Sequence, residues 1–191
     1  MKERRRRRFA LLELGVYRGS SLRAWRDYLP RATVLGLDVD PGARSRAPEF
    51  DVYIGSQADP ELLDNVLRDH PDLEVVVDDA SHLNTLTFAS FDHLFPRLPS
   101  GGLYIIEDLA PPAYGRDWPG SERHSDGTWG TTWPGMEHNI GLSLLDNRQA
   151  DLEAFRNRLA YDCDLSPWDD DLPGHVSFVH QWPSILVVGR R

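Results

Sequence analysis

The sequence predicts an α/β fold, a doubly wound and mostly parallel seven-stranded sheet with an antiparallel C-terminal strand. Three observations predict it. Short apolar runs alternate with helical patterns over the first 110 residues, a glycine turn joins the first run to the first helix, and an acid closes the second run. In order, Phe9–Leu14 reads as a strand and Ser20–Tyr28 as a helix capped by Ser20 or Ser21. Thr33–Leu37 is the second strand and Asp51–Ile54 a weaker third. Pro60–Asp69 is a helix with proline in its first turn. Leu73–Val77 is a buried strand, Thr85–Leu94 a helix, and Leu103–Ile106 the fifth strand after the turn at Pro99-Ser-Gly-Gly102. Val176–Val179 and Ile185–Val188 close the sheet as an antiparallel pair.

Residues 110–136, with Pro111, Pro112, Pro119, Pro134, Tyr114, Trp118, Trp129 and Trp133, read as one long loop on the acceptor side. Beyond it, Ile140, Leu144, Leu145, Leu152 and Phe155 recur at helical spacing over Glu137–Leu159. The organisation expected is a basic, flexible segment 1–8 followed by one domain over 9–191.

Composition narrows the function. The 191 residues are 40% hydrophobic and 27% charged, an ordinary globular balance. A net charge of −9 disfavours nucleic acid and anionic membrane as partners. The run Arg4–Arg8 is the exception, read either as a phosphate-binding arm or, in preference, as a solvated mobile terminus. Cys163 is the one cysteine, which excludes an intrachain disulfide or a thiolate zinc site and leaves no thiol nucleophile in a recognisable setting. No apolar run approaches a membrane span and no secretory leader is evident, so a soluble cytoplasmic protein is expected.

The first strand runs into Glu13-Leu-Gly-Val-Tyr-Arg-Gly19. Gly15 permits a tight turn, and the helix beginning after Gly19, at Ser20 and Ser21, offers free N–H groups to an anionic group. Asp38 ends the second strand, where a carboxylate can accept both ribose hydroxyls. The order strand, turn, helix, strand, acid points to a nucleoside ligand. A dinucleotide turn needs Gly-x-Gly-x-x-Gly, but Tyr17 holds the second glycine position. Glu13 would repel a pyrophosphate and suits a cationic ammonium group instead. S-adenosyl-L-methionine carries one.

These residues, with Val34-Leu-Gly-Leu-Asp-Val-Asp40, resemble the first motif and following acid of class I S-adenosylmethionine-dependent methyltransferases, whose sheet is Rossmann-like. Val77-Asp-Asp-Ala-Ser-His82, Ser90-Phe-Asp-His-Leu-Phe-Pro96 and Gly101-Gly-Leu-Tyr-Ile-Ile-Glu-Asp-Leu109 are similar to the metal-dependent sugar O-methyltransferases of macrolide-type antibiotic pathways. The resemblance spans residues 9–109. It departs where the family tends to have Gly-Asp-Gln and this chain reads Gly55-Ser-Gln57; the family usually carries a helical segment ahead of the first strand, which here begins near Phe9.

The resemblance implies an O-methyltransferase acting on a sugar hydroxyl of a glycosylated natural product. The alternatives are transfer to a non-sugar hydroxyl, or a catalytically silent module on the same fold. It implies cofactor contacts from Glu13, Gly15, Gly19, Ser20, Ser21, Asp38, Gln57 and Asp78. Asp79, Glu107 and Asp108, at the ends of the fourth and fifth strands, make a hard-oxygen site for Mg²⁺ or Mn²⁺, the competing reading being caps and strand ends. His82 is placed to take the acceptor's proton. His93 is expected to pack or cap. His124 and His138 border the aromatic loop as lesser acceptor-binding candidates, and its tryptophans either stack on the acceptor or anchor the loop. The acceptor is expected to be a small molecule, and the loop's apolar side chains also predict self-association.

Overall fold

A computed structural model describes residues 1–108, 121–123, 129–131, 154–155, 176–181 and 185–191. A sheet of seven strands runs through it: β1 (Ala10–Leu14), β2 (Thr33–Asp38), β3 (Asp51–Ile54), β4 (Leu73–Asp78), β5 (Leu103–Ile106), β8 (Val176–Gln181) and β9 (Leu186–Arg190). Two further short strands, β6 (Ser121–Arg123) and β7 (Trp129–Thr131), pair with each other in a separate ribbon. The sequence shows only a loop there, because three-residue strands carry no readable alternation. The order across the large sheet is β3-β2-β1-β4-β5-β9-β8. Strands β1 to β5 pair in parallel, and β9 enters antiparallel between β5 and β8.

The central strands are buried on both faces, as covered parallel sheets are. Successive side chains therefore feed two cores. Leu12, Leu14, Val76 and Tyr104 point to one, while Leu11, Val75, Val77 and Ile105 point to the other. Helix α1 (Ser20–Tyr28) closes the second core through Leu22, with Ala43 and Ala47 of and beside the short α2 (Ala43–Arg46). Helices α3 (Pro60–Asp69) and α4 (Asn84–Leu94) close the first through Leu63, Val66, Phe91 and Leu94. Phe155 joins that core, stacked 4.3 Å from Phe88.

The strand order reverses between the parallel β1 and β4, and ligands of open α/β sheets bind outside the strand ends at that point. Gly15 makes the approach possible: at φ +93°, a Cβ there would lie 2.2 Å from the Asp79 carbonyl oxygen. Gly19, at φ +72°, is the N-cap of α1, which has no side-chain cap. Neither Ser20 nor Ser21 caps the helix as expected, because both lie inside it, after the Gly19 N-cap.

The N-terminal arginines also differ from expectation. Glu3–Arg6 forms a 3-10 turn at the opposite end of the sheet. There Arg4 donates to Glu74 (3.1 Å) and to the Gly101 carbonyl, and Arg7 donates to the other oxygen of Glu74. One acid at the start of β4 holds the segment down, so it is not a freely solvated arm.

Candidate functional site

Four strand tips surround the crevice. Glu13, on β1, is 1% exposed. Burial pushes its carboxyl up to about 7, hydrogen bonds from Ser21 and Trp25 oppose the rise, and Asp79 and Glu107 add to it. Its Oε2 is buried without a hydrogen-bond partner. A buried acceptor of this kind normally finds one, and a cationic group meets the need best.

Asp38 closes β2. Its Oδ2 accepts from the backbone N–H groups of Val16 and Tyr17, both at 2.9 Å, and its Oδ1 from Asp40 N–H at 2.9 Å. The acid therefore staples the glycine turn. A carboxylate has about four acceptor positions, which leaves room for about one ligand hydroxyl rather than two.

Gln57 and Asp78 are placed differently from the expectation. Gln57 is 4% exposed, and its Nε2 lies 3.0 and 3.1 Å from the two oxygens of Asp78 and 3.3 Å from Ser90 Oγ. Its Oε1 accepts from Ser81 N–H at 3.1 Å. The amide is fully used inside the protein. Asp78 is equally enclosed, with Ser90 at 3.1 Å and Tyr104 at 3.3 Å from its Oδ2. Asp78 turns inward because β4 aims successive residues to opposite faces, and Gln57, from the turn after β3, meets it there. A cue was available in the sequence: Ser90 and Tyr104 are polar groups on core-facing positions.

Asp79, one residue on, faces the crevice. Asp79, His82 and Asp108 each offer a ligand atom, all within 4.8 Å of one another. His82 Nε2 lies 4.0 Å from Asp79 Oδ1, too far for a hydrogen bond. Burial first, then Asp108 and Asp78, pushes Asp79 up to about 6. Glu107 is also raised, by burial and then by Asp79 and Asp108, with only His82 opposing. It stands beside the group but outside it, whereas the sequence groups Glu107 with the ligands and separates His82. Acids crowded in this way offer hard oxygen donors of the kind that could hold a divalent cation.

Two backbone features were invisible in the sequence. His82 (φ 55°) and Asp108 (φ 48°) are left-handed, as is Tyr17 (φ 47°) at the first tip. Non-glycine residues in this region are uncommon and gather at ligand sites. His93 instead pairs with Asp64 at 2.7 Å on the outer surface. Apart from 121–123 and 129–131, the aromatic loop lies outside the described residues, with Tyr114, Trp118, His124 and Trp133; so do His138, Cys163 and the 137–159 helix apart from 154–155.

No family model matches the chain. It is 30% identical over 194 residues to demethylmacrocin O-methyltransferase of Streptomyces fradiae, a match over 98% of this chain and 45% of that protein. It is 35% identical over 132 residues to mycinamicin VI 2''-O-methyltransferase of Micromonospora griseorubida, over 65% of this chain and 32% of that one. Among solved structures, MycE methyltransferase of the mycinamycin pathway, in complex with Mg, SAH and mycinamycin VI, matches with a TM-score of 0.66 and 28% identity, over 100% of this chain and 46% of that one. The chain thus spans about half the length of the relatives it matches. By sequence and by fold, the chain is similar to the sugar O-methyltransferases of antibiotic pathways, on a Rossmann-like methyltransferase sheet.

Proposed function

We propose that the chain is a methyltransferase unit that moves the methyl group of S-adenosyl-L-methionine to a sugar hydroxyl of a glycosylated small molecule, with Mg²⁺ or Mn²⁺. The observation that carries this reading is the grouping of Asp79, His82 and Asp108 beside the orphaned oxygen of Glu13. The curated relatives support it, because their names describe sugar O-methylation on macrolide and tetracenomycin scaffolds.

In this reading Glu13 receives the cofactor's ammonium group, Asp38 holds the turn and one ribose hydroxyl, and the free N–H groups of α1 meet the carboxylate. Asp79 and Asp108, with Glu107 alongside, hold the cation. A divalent ion bound there lowers the pKa of an acceptor hydroxyl and orients its oxygen. His82 takes the released proton; an imidazole suits that task better than it suits binding a hard Mg²⁺. Residues 110–136 are the segment proposed to face the acceptor.

The test is methyl transfer from labelled cofactor to a panel of glycosides, with Mg²⁺ and with chelator. Transfer to glycosides that stops on chelation is expected. Activity untouched by exhaustive chelation removes the cation, and tighter binding of NAD than of S-adenosylhomocysteine removes the cofactor.

A further inference from the structure

Three residues around Asp78 are buried polar groups that the proposed chemistry does not use. Gln57, Ser90 and Tyr104 are 4%, 0% and 0% exposed, and they come from the turn after β3, from α4 and from β5. Tyr104 Oη lies 3.0 Å from Ser90 Oγ, and Ser90 Oγ also lies 3.0 Å from the carbonyls of Leu86 and Thr87. Everything converges on one carboxylate. Replacing such a network with apolar groups of similar volume is often neutral or stabilising, so stability alone is a weak reason for it.

The backbone suggests the other reason. The Asp78 carbonyl accepts the Glu107 N–H at 2.9 Å, and the next residue's N–H, that of Asp79, donates to the Leu14 carbonyl at 2.9 Å. The peptide units around Asp78 thus join the β1, β4 and β5 tips. Gln57 extends the network outward by fixing Ser81 N–H, next to His82. His82 and Asp108, the left-handed residues at the β4 and β5 tips, follow Asp78 and Glu107 within four residues and one residue respectively. Strained backbone persists only where its surroundings over-determine it.

We propose that Gln57, Asp78, Ser90 and Tyr104 form a buried strut that holds the β4 and β5 tips in the strained conformation that groups Asp79, His82 and Asp108. Tyr104 and Ser90 are then positioning residues of the cation site, and Gln57 and Asp78 belong to this strut and not to the nucleoside pocket. The inference rests on the cation reading given above.

The test compares Tyr104→Phe and Ser90→Ala with Val66→Ala, a core change away from the tips. Two measurements are made on the whole chain: Mn²⁺ binding by electron paramagnetic resonance, and amide hydrogen exchange of 79–82 and 107–108 without metal. Loss of groups that orient ligands typically weakens metal binding by about 10–100-fold. Both strut variants should weaken Mn²⁺ by about tenfold and speed exchange at the two tips, while Val66→Ala lowers the melting temperature and does neither. Wild-type exchange at the tips in Ser90→Ala and Tyr104→Phe overturns the strut, as does equal weakening of Mn²⁺ by Val66→Ala at matched stability loss. Should the wild type bind no Mn²⁺, the cation reading fails, and the metal-free exchange alone decides the strut. Ser90→Ala removes a single hydroxyl, so it serves if Tyr104→Phe does not fold.

Discussion

Strand β4 begins and ends in acid, and the molecule treats the two ends in opposite ways. At its start Glu74 is met by two guanidinium groups, from Arg4 and Arg7. At its end Asp79 faces Asp108 and Glu107 with, among the described residues, only His82 as a nearby positive candidate, and Glu13 is buried beside them with an oxygen that no described residue pairs. Acids that the fold neutralises are structural. Acids that it crowds together, at the point where a parallel sheet opens, are positioned for something that arrives from outside.

The largest effects should come from the crowded end. His82→Ala should cost about 10²–10⁴ in turnover, the usual value of a general base, while S-adenosylhomocysteine and Mn²⁺ still bind. Asp108→Ala should lose activity together with its response to Mg²⁺. Single-turnover rates and metal titrations of the two variants separate these roles; a His82→Ala enzyme at wild-type rate overturns the proton transfer.

Next in size is Glu13→Gln. The substitution keeps the shape and removes the charge that the proposal pairs with the ammonium group, so calorimetry should show S-adenosylhomocysteine binding weakened by about 1–3 kcal/mol. Asp38→Ala should weaken it comparably, and should also loosen the turn by freeing Val16 and Tyr17 N–H. Unchanged affinity in both variants would move the cofactor elsewhere.

The same acid predicts a pH dependence. Glu13 is raised from 4.5 to about 7 and Asp79 from 3.8 to about 6. Between these limits the folded chain binds more protons than the unfolded one, so stability falls as pH rises. The ligand-free protein should therefore melt at lower temperature at pH 7.5 than at pH 5, to the extent set by these two groups. For Glu13 the full shift corresponds to at most about 3 kcal/mol. Glu13→Gln should flatten the slope, and so should Mg²⁺ through Asp79. Melting curves across this range, with and without Mg²⁺, decide it; a ligand-free protein that grows more stable toward pH 7.5 contradicts the unpaired-acid account.

Most of the fold was legible because the parallel strands are short apolar runs between strong helix signals, and Ser20–Tyr28, Asp51–Ile54, Pro60–Asp69 and Leu103–Ile106 have the boundaries that the sequence indicates. The acids at the strand tips were legible from their order. What sequence could not supply was the side-chain direction at the β4 tip. Asp78 and Asp79 are adjacent and identical, yet one is buried in a network and the other faces the crevice. Nor could it show that Asp38 uses three of its acceptor positions on backbone N–H groups, two in the glycine turn and one in its own, since such donors are common to every residue. The arginine run misleads for a related reason: a charge cluster reads as solvated unless its partner, here the distant Glu74, is known.

That run gives the smallest and sharpest contrast. Arg4 and Arg7 share one carboxylate, but their side chains are 12% and 58% exposed. An exposed pair contributes about 0–1 kcal/mol, because solvent screens it and the side chain loses freedom. Arg4 is held also by the Gly101 carbonyl, and its burial lowers its pKa against the opposing pull of Glu74. Removing it uncovers the start of β4 and leaves Glu74 with the solvated partner alone. Arg4→Ala should therefore cost about 1–2 kcal/mol, or a few degrees in melting temperature for a chain of this size, and Arg7→Ala less than about 0.5 kcal/mol. Neither should alter Mn²⁺ or S-adenosylhomocysteine binding, since the pair lies at the opposite end of the sheet. Equal losses from the two variants would show that exposure does not set the strength of this pairing, and a change in ligand affinity would show that the two ends of β4 are coupled.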